Sequence, residues 1–482
     1  MTDNKLSRRA FLAATTTTAL TGAACSLFIK PTSPGVVFIV IDTLRADRLD
    51  AKLHNLPVMP GLHALADNAV CCAEAYVQET FTKPSVASML TSLYPEVHGV
   101  RFGIFTPGDI DKSKDPQSML HVDVLSRELP SLPTVLRQHG YATIGVQTNM
   151  QLHAHSGFAN GFDQYHYLDN VSADVVSRKA ISAIERVKEP FFLYIHYLDP
   201  HCPYTPPKEI IHTFGVPEKP SDKDLELLQN YNEYYWDLVR HGLGLSEERA
   251  IGRLGRKGRN FLKFMYDGEA RFTDSEVAGL IASVRKRFPR SLIVVTSDHG
   301  EEFWEHGSIG HTKTAYRELA HVPLIFAAPG LAAANINAPV ESIDITPTIA
   351  AYLDIPLESG WQGRNLIPLF TGTGRRKQKC VYTSAFGMQP WDKVKWRAVY
   401  DGEHRLVKNF SQMKTELFNI ANDPYEKKSL AEKEPGRIEE LTKALDAIIE
   451  ANERHPLKQE TVEKARVEEG TIESLKALGY LQ

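Results

Sequence analysis

The sequence predicts an α/β protein whose main domain is built on buried parallel strands, followed by a smaller unit with an antiparallel sheet. Two observations carry this. Three runs, Val36-Val37-Phe38-Ile39-Val40-Ile41, Phe191-Phe192-Leu193-Tyr194-Ile195 and Leu292-Ile293-Val294-Val295, are aliphatic or aromatic at every position. Continuous rather than alternating hydrophobicity marks a strand covered on both faces, as in a parallel sheet flanked by helices. By contrast, residues 381–386, 396–400, 405–408 and 416–420 are short alternating segments separated by turn residues, the pattern of a small antiparallel domain.

Each apolar run ends on polar residues of one kind. Asp42 follows the first, His196, Asp199 and His201 close the second, and Asp298-His299 follow the third. In open α/β sheets ligands bind beyond the carboxyl ends of the strands, so these side chains share one active edge. Asp298 and His299 can both reach a single divalent cation if the chain kinks there, and Gly300 permits the kink. Mixed oxygen and nitrogen ligation suits Mn²⁺ or Zn²⁺, with Ca²⁺ a poorer match to an imidazole.

With 482 residues the chain is too long for one small core, and a large α/β domain plus a smaller one is the natural partition. Hydrophobic content of 43% and charged content of 24% are those of a soluble globular protein. Lys+Arg number 55 against 59 Asp+Glu, a formal charge of -4, so nothing argues for nucleic acid as a partner. No polybasic tract argues for a membrane surface either. The N-terminus differs: Ser7-Arg8-Arg9-Ala10-Phe11-Leu12 opens an apolar segment, residues 11–20, diluted by Thr15 to Thr18. That segment is too short and polar to span a bilayer, but paired arginines ahead of a weak apolar core have the form of a twin-arginine export signal. The mature chain is then periplasmic or at the cell surface, with no transmembrane segment. Ala23-Ala24-Cys25 is a weak lipoprotein-like junction that would place a lipid on Cys25. The remaining cysteines, Cys71, Cys72, Cys202 and Cys380, follow neither disulfide nor zinc-finger spacing, and Cys71 and Cys72 are expected to be small buried residues.

Helices connect the strands. Leu62, Leu65, Ala66 and Ala69 recur at helical spacing. Pro84 belongs in a first helical turn, which puts Thr82 at or beside the cap. A hydroxyl there sits in the positive end of the helix dipole, which favours an anion and an ionised alcohol alike; plain capping is the alternative. Residues 131–140 form a helix closed by Gly140, ahead of a strand over 141–146. Residues 221–259 are polar and helix-prone, with Tyr231, Tyr234, Tyr235 and Trp236 clustered: a helical insertion that serves as a lid or as a solvated pair with its aromatics inward. His306, His311 and Lys313 follow, then a strand over 322–326, an amphipathic helix over 347–353, and a loop-like shift at Gly372-Thr373-Gly374-Arg375-Arg376. A charged helix runs over 436–453. The expected organisation is an export signal and linker over 1–30, a main domain over 34–372 and a small C-terminal domain with a helical tail over 373–482.

Five segments in this order resemble the sulfatase family of the alkaline phosphatase superfamily: Asp42-Thr43-Leu44-Arg45-Ala46-Asp47, Thr82-Lys83-Pro84-Ser85, residues 196–204, Asp298-His299-Gly300-Glu301 and Leu417-Phe418-Asn419-Ile420-Ala421-Asn422-Asp423-Pro424. The resemblance covers nearly the whole chain after the leader. It implies an alkaline-phosphatase-like sandwich with a mixed, mostly parallel central sheet, a small C-terminal domain, and a divalent metal at the strand ends. On that resemblance Asp42, Asp298 and His299 stand at metal-ligand positions. Thr82 stands at the nucleophile position and beside the ion. His201 and His311 resemble the groups that hold the substrate's anionic oxygens and protonate the leaving group, with Lys313 a further substrate-binding residue. One ion is implied; a second, held by Asp199 or His201 with His311, would make a two-metal clamp.

Thr82 departs from the family's sulfate-ester hydrolases, where a Cys or Ser in a C/S-x-P-x-R frame is matured to formylglycine. Val86 stands where the arginine would be. Oxidising a secondary alcohol gives a ketone, so the aldehyde hydrate that attacks sulfur cannot form. A phosphothreonine, however, can be cleared by in-line attack of water or of an acceptor alcohol. The expectation is a metal-dependent hydrolase or transferase acting on small-molecule or cell-envelope phosphate esters, phosphodiesters above all, through Thr82. Its rivals are a sulfuric ester hydrolase without formylglycine and a non-catalytic envelope binding protein on the same scaffold.

Overall fold

The computed structural model describes residues 33–101, 121–215, 218–229, 254–373, 380–386 and 395–466. The leader with Arg8, Arg9 and Cys25, the aromatic cluster from Tyr231 to Trp236, and Gly374-Arg375-Arg376 lie outside the described residues.

Eight strands make the central sheet: β1 (Val36–Ile41), β2 (Val70–Cys72), β3 (Ala142–Gln147), β4 (Gln164–Tyr167), β5 (Phe191–Tyr197), β6 (Leu292–Ser297), β7 (Leu324–Ala327) and β8 (Ala334–Ile336). Their spatial order is β8-β2-β7-β6-β1-β5-β3-β4. The three apolar runs are its centre, because β1 pairs in parallel with both β5 and β6, and every residue of the three is buried. β7 runs antiparallel to both of its neighbours, which makes the sheet mixed.

Continuous hydrophobicity is explained by cover on both faces. Val36, Phe38 and Val40 face α1 (Thr82–Thr91) through Val86, Ala87 and Leu90. Val37, Ile39 and Ile41 face α2 (Ala173–Ile184) and α3 (Arg256–Arg287) through Val176, Ala180, Val277 and Ile281. Each such side chain contributes about 1.5–3 kcal/mol on burial, so a one-residue slip of β1 would move its whole set to the wrong partner.

Three expectations need correction. The single strand over 322–326 is two: His321–Val322 pairs with Ala75–Tyr76, and after Pro323, which has no N–H for a ladder, β7 begins at Leu324. The helix expected to be amphipathic, α4 (Ile345–Tyr352), is buried on nearly every side, with Thr346 Oγ1 donating to Met89 O at 2.7 Å. It is wedged against α1 and has no solvent face of its own. Cys72 is buried as expected, but Cys71, on the other side of β2, is only half-buried; both are free thiols.

The C-terminal sheet is an antiparallel meander of β9 (Val381–Ala385), β10 (Trp396–Tyr400), β11 (His404–Asn409) and β12 (Lys414–Asn419), packed on α5 (Pro435–Glu453). Its first strand is stitched to the segment that leads into α1. Thr383 Oγ1 donates to Val77 O at 2.7 Å, Ser384 N to Gln78 O at 2.9 Å, and Ser384 Oγ to the buried Glu79 carboxylate at 2.9 Å. Among the described residues no helix is long and apolar enough to cross a membrane.

Candidate active site

Register brings the strand ends together. Ile41 lies level with both Tyr197 and Ser297, and Val40 level with His196. Asp42, His196 and Asp298 therefore project from one face at neighbouring positions, each offering a ligand atom within 4.8 Å of the others, all fully buried. His196 Nε2 is 3.7 Å from Asp298 Oδ2 and 4.0 Å from Asp42 Oδ2.

Each carboxylate has one oxygen engaged and one free. Asp298 Oδ1 accepts from Thr43 N at 3.1 Å and His299 N at 2.9 Å, while Asp42 Oδ2 accepts from Asn149 Nδ2 at 2.6 Å. Among the described residues, Asp42 Oδ1, Asp298 Oδ2 and both ring nitrogens of His196 are buried without a hydrogen-bond partner. Burial and the adjacent Asp298 charge push the Asp42 carboxyl well above the usual carboxylate range. Orphaned oxygens and an orphaned imidazole, crowded around two like charges, fit a divalent cation: it supplies the charge that burial denies.

His299 completes one side of this group. Its Nδ1 donates to Gly300 O at 2.9 Å, which leaves the Nε2 lone pair facing inward. That Nε2 is 3.5 Å from Asp298 Oδ2, 4.0 Å from Asp42 Oδ1 and 3.3 Å from Thr82 Oγ1. Thr82 is the first residue of α1, Phe81 holds the cap position, and no side chain caps the helix. The Thr82 hydroxyl is thus buried yet not used for capping. Ser85 Oγ, one turn on, donates to Asp298 O at 2.6 Å and fixes α1 against the end of β6. Gly300 is needed for close approach, not for a kink: a Cβ there would lie 2.0 Å from Glu318 O.

His311 stands beside His299 with ring centroids 4.4 Å apart, and His201 beside His311 at 5.0 Å. His201 Nδ1 donates to Cys202 O at 2.6 Å; His311 Nδ1 donates to Glu301 Oε1 at 3.1 Å, and Tyr204 OH holds the other Glu301 oxygen at 2.9 Å. Burial and the neighbouring His311 pull His201 down to about 4, and burial with His299 pulls His311 well below its ordinary value. Both imidazoles are neutral near pH 7, each with an inward lone pair. Lys313 lies close by, but its ammonium already donates to Ser308 Oγ at 3.0 Å and Ile309 O at 2.5 Å. Asp199, considered for a second ion, instead accepts from Ala173 N at 2.7 Å at the start of α2. Among the described residues, the group placed to hold an ion is Asp42, His196 and Asp298; His299 lies beside it, 3.5 Å from Asp298 Oδ2, and Asp199, His201 and His311 are not part of it.

Sequence reasoning did not single out His196 as a candidate ligand, missed Asn149, and met Glu301 only as part of a motif, with no role of its own. A lone histidine inside an apolar strand, at the parity of Val40 and Asp42, was the available signal for the first. Asn149, just beyond the end of β3, occupies the same active edge.

This is the alkaline-phosphatase-like α/β fold: a large mixed sheet flanked by helices, with an antiparallel C-terminal sheet beside it. Within it the chain belongs to the sulfatase family, whose family model, described as Sulfatase, matches residues 34–355. A second, described as N-sulphoglucosamine sulphohydrolase, C-terminal, matches residues 305–455. Arylsulfatase K of Bos taurus is 25% identical over 294 residues, covering 54% of this chain and 51% of that protein. Choline-sulfatase of Rhizobium meliloti (strain 1021) is 29% identical over 189 residues, covering 37% of this chain and 34% of that one. The chain spans about half the length of the curated relatives it matches. Among solved structures, a phosphonate monoester hydrolase from Silicibacter pomeroyi superposes with a TM-score of 0.66 at 20% identity, over 90% of this chain and 99% of that one.

Proposed function

We propose that the chain is a metal-dependent ester hydrolase or transferase acting on phosphate esters, phosphodiesters in particular, with Thr82 as nucleophile. The observation that carries this is the Thr82 hydroxyl: 2% exposed, unused as a cap, and 3.3 Å from His299 Nε2 beside the free oxygens of Asp42 and Asp298. The chemistry supplied by a divalent cation on Asp42, Asp298, His196 and His299, Mn²⁺ or Zn²⁺ by the donor set, is to lower the pKa of a bound hydroxyl and neutralise the transferred anion.

Thr82 Oγ attacks phosphorus in line, and the bond from phosphorus to the leaving oxygen breaks. The hydroxyl proton passes to the lone pair of His311 or His201 and then to the leaving alkoxide, so the released group departs as an alcohol. Glu301, tied by Tyr204, keeps the accepting nitrogen of His311 aimed inward. Water or an acceptor alcohol then attacks the phosphothreonine and restores the Thr82 hydroxyl.

A second reading, hydrolysis of sulfate esters, is favoured by the names of the curated relatives, arylsulfatase K and choline-sulfatase. Against it stands Thr82, which cannot mature to formylglycine. The test is turnover of an aryl phosphodiester, phosphomonoester, phosphonate monoester and sulfate with Mn²⁺, Zn²⁺ or Ca²⁺ added, beside Thr82→Ala. Phosphodiester turnover that disappears in Thr82→Ala, with a phosphoryl adduct on Thr82 by intact mass after rapid acid quench, supports the proposal. Sulfate-ester turnover surviving in Thr82→Ala overturns it, and no turnover with any metal favours a binding role.

A further inference from the structure

The edge of the sheet opposite the active edge carries a concentration of positive charge that the chemistry does not use. β1, β5 and β6 start there, and α2 and α3 end there, because each helix leads directly into one of those strands. Residues 185–190 and 285–290, a hundred positions apart, supply Arg186, Lys188, Arg285, Lys286, Arg287 and Arg290, all exposed; the second is a basic run, Arg285-Lys286-Arg287-Phe288-Pro289-Arg290, against the expectation that no polybasic tract points to a membrane surface. Arg287 Nη2 donates to Glu185 O, and Arg290 lies 3.1 Å from the Glu189 carboxylate, so the two runs form one face. The two runs hold six cations against two acids, Glu185 and Glu189, in a chain of formal charge -4. The α3 dipole favours cations in its last turn, but that reach ends with the helix and does not account for Arg186, Lys188 or Arg290.

The chain enters its fold through this same face. Leu292 N donates to Gly35 O at 2.9 Å and Gly35 N to Glu189 Oε1 at 3.2 Å, so the exposed Ser33 leads away from the middle of the basic surface. Residues 1–32 before it include the apolar stretch and Cys25. Seven residues, 26–32, separate Cys25 from Ser33 and reach at most about 25 Å when extended, so any attachment at Cys25 would hold this face against the lipid.

We propose that the basic face rests on an anionic lipid surface, leaving the active edge directed into solvent. The six residues of β1 set the two edges about 20 Å apart, which keeps Asp42 and Thr82 clear of the headgroups. Lipid headgroups fit better than nucleic acid: the one aromatic residue in the two runs, Phe288, is buried and offers no ring to a base. The inference rests on the export reading only for which membrane is met; the charge belongs to the fold.

The test is vesicle flotation of the full chain carrying Cys25→Ser, with phosphatidylcholine alone or with about one-third phosphatidylglycerol. It is compared with the same chain bearing Arg186→Gln, Lys188→Gln, Arg285→Gln and Lys286→Gln, which spares the bonded Arg287 and Arg290. Binding to the anionic vesicles is expected to exceed binding to neutral ones by about tenfold or more, to fall with salt, and to drop about tenfold in the variant. The variant's melting temperature and turnover of soluble substrate should be unchanged. Equal binding to both vesicles, undiminished binding by the variant, or preference for an RNA or DNA oligonucleotide at the same salt would overturn the proposal. Flotation does not depend on turnover, so its failure is distinct from failure of the proposed reaction.

Discussion

Asn149 Nδ2 donates to Asp42 Oδ2 at 2.6 Å across 107 positions of sequence, and this bond decides which oxygen of Asp42 is left for a cation. Asn149 is itself held, since its Oδ1 accepts from Gln151 N at 2.8 Å. Removing such an outer partner costs a metal site about 10–100-fold in affinity. Asn149→Ala is expected to weaken Mn²⁺ or Zn²⁺ binding by that factor in calorimetric titration of chelator-treated protein. Unchanged affinity would mean that Asp42 needs no second hold.

Thr82→Ala should lower turnover by about a thousandfold or more, the scale on which a lost nucleophile acts. Its melting temperature should hardly move, because the hydroxyl caps nothing in α1. Thr82→Ser, which keeps an oxygen on a smaller side chain, should retain part of the activity. A large loss of stability in Thr82→Ala would assign the residue a structural role.

Metal removal should destabilise the fold. Two buried carboxylates repel across the candidate site, and an ion present at 100 times its Kd adds about 2.7 kcal/mol to the folded state. Chelation should therefore lower the melting temperature by a few degrees. Asp42→Asn should abolish the response to added ion while making the ion-free protein more stable than its ion-free parent, because burial and the Asp298 charge disfavour the Asp42 carboxylate when no cation is bound. Calorimetric melts with and without chelator measure both.

Lys83 gives a pH dependence whose sign follows from its burial. Its ammonium is fully buried and has no hydrogen-bond partner among the described residues, and burial, opposed by Asp123, pulls it down to about 7 from 10.5. Between those values the unfolded chain holds a proton that the folded chain has released, so this group makes stability rise with pH from about 7 to 10.5. At and below pH 7 its cost is greatest. Lys83→Met should stabilise the protein there by roughly 1–4 kcal/mol and flatten the slope above it. Urea melts across that window check it, and a destabilised Lys83→Met would show that the charge has a partner.

The centre of the sheet was legible because β1, β5 and β6 are covered on both faces, and only uninterrupted apolar runs satisfy that. β2, β4 and β8 were not, since Val70–Cys72, Gln164–Tyr167 and Ala334–Ile336 are too short for a period to show. Most of α3 also escaped: 32 residues long and strongly charged, it buries only a stripe, and its pattern merges with the polar segment before it. Asp42, Asp298 and His299 stand out as candidates in the sequence because they come at or just after the ends of apolar runs. Asn149 and Glu301 do not, since what sets them apart is the partner each meets across the fold. Lys313, expected as a substrate-binding residue, is another case in which the partner decides: its ammonium donates within its own hairpin, to Ser308 and Ile309.

The stitching of β9 to residues 77–79 has a temporal consequence. Thr82 sits three positions past a ledge whose other half is written some three hundred residues later, at Thr383 and Ser384. A nascent polypeptide lacks that half until its final quarter leaves the ribosome. The Thr82 hydroxyl is thus among the last features to be locked in place, although its codon is among the first to be read.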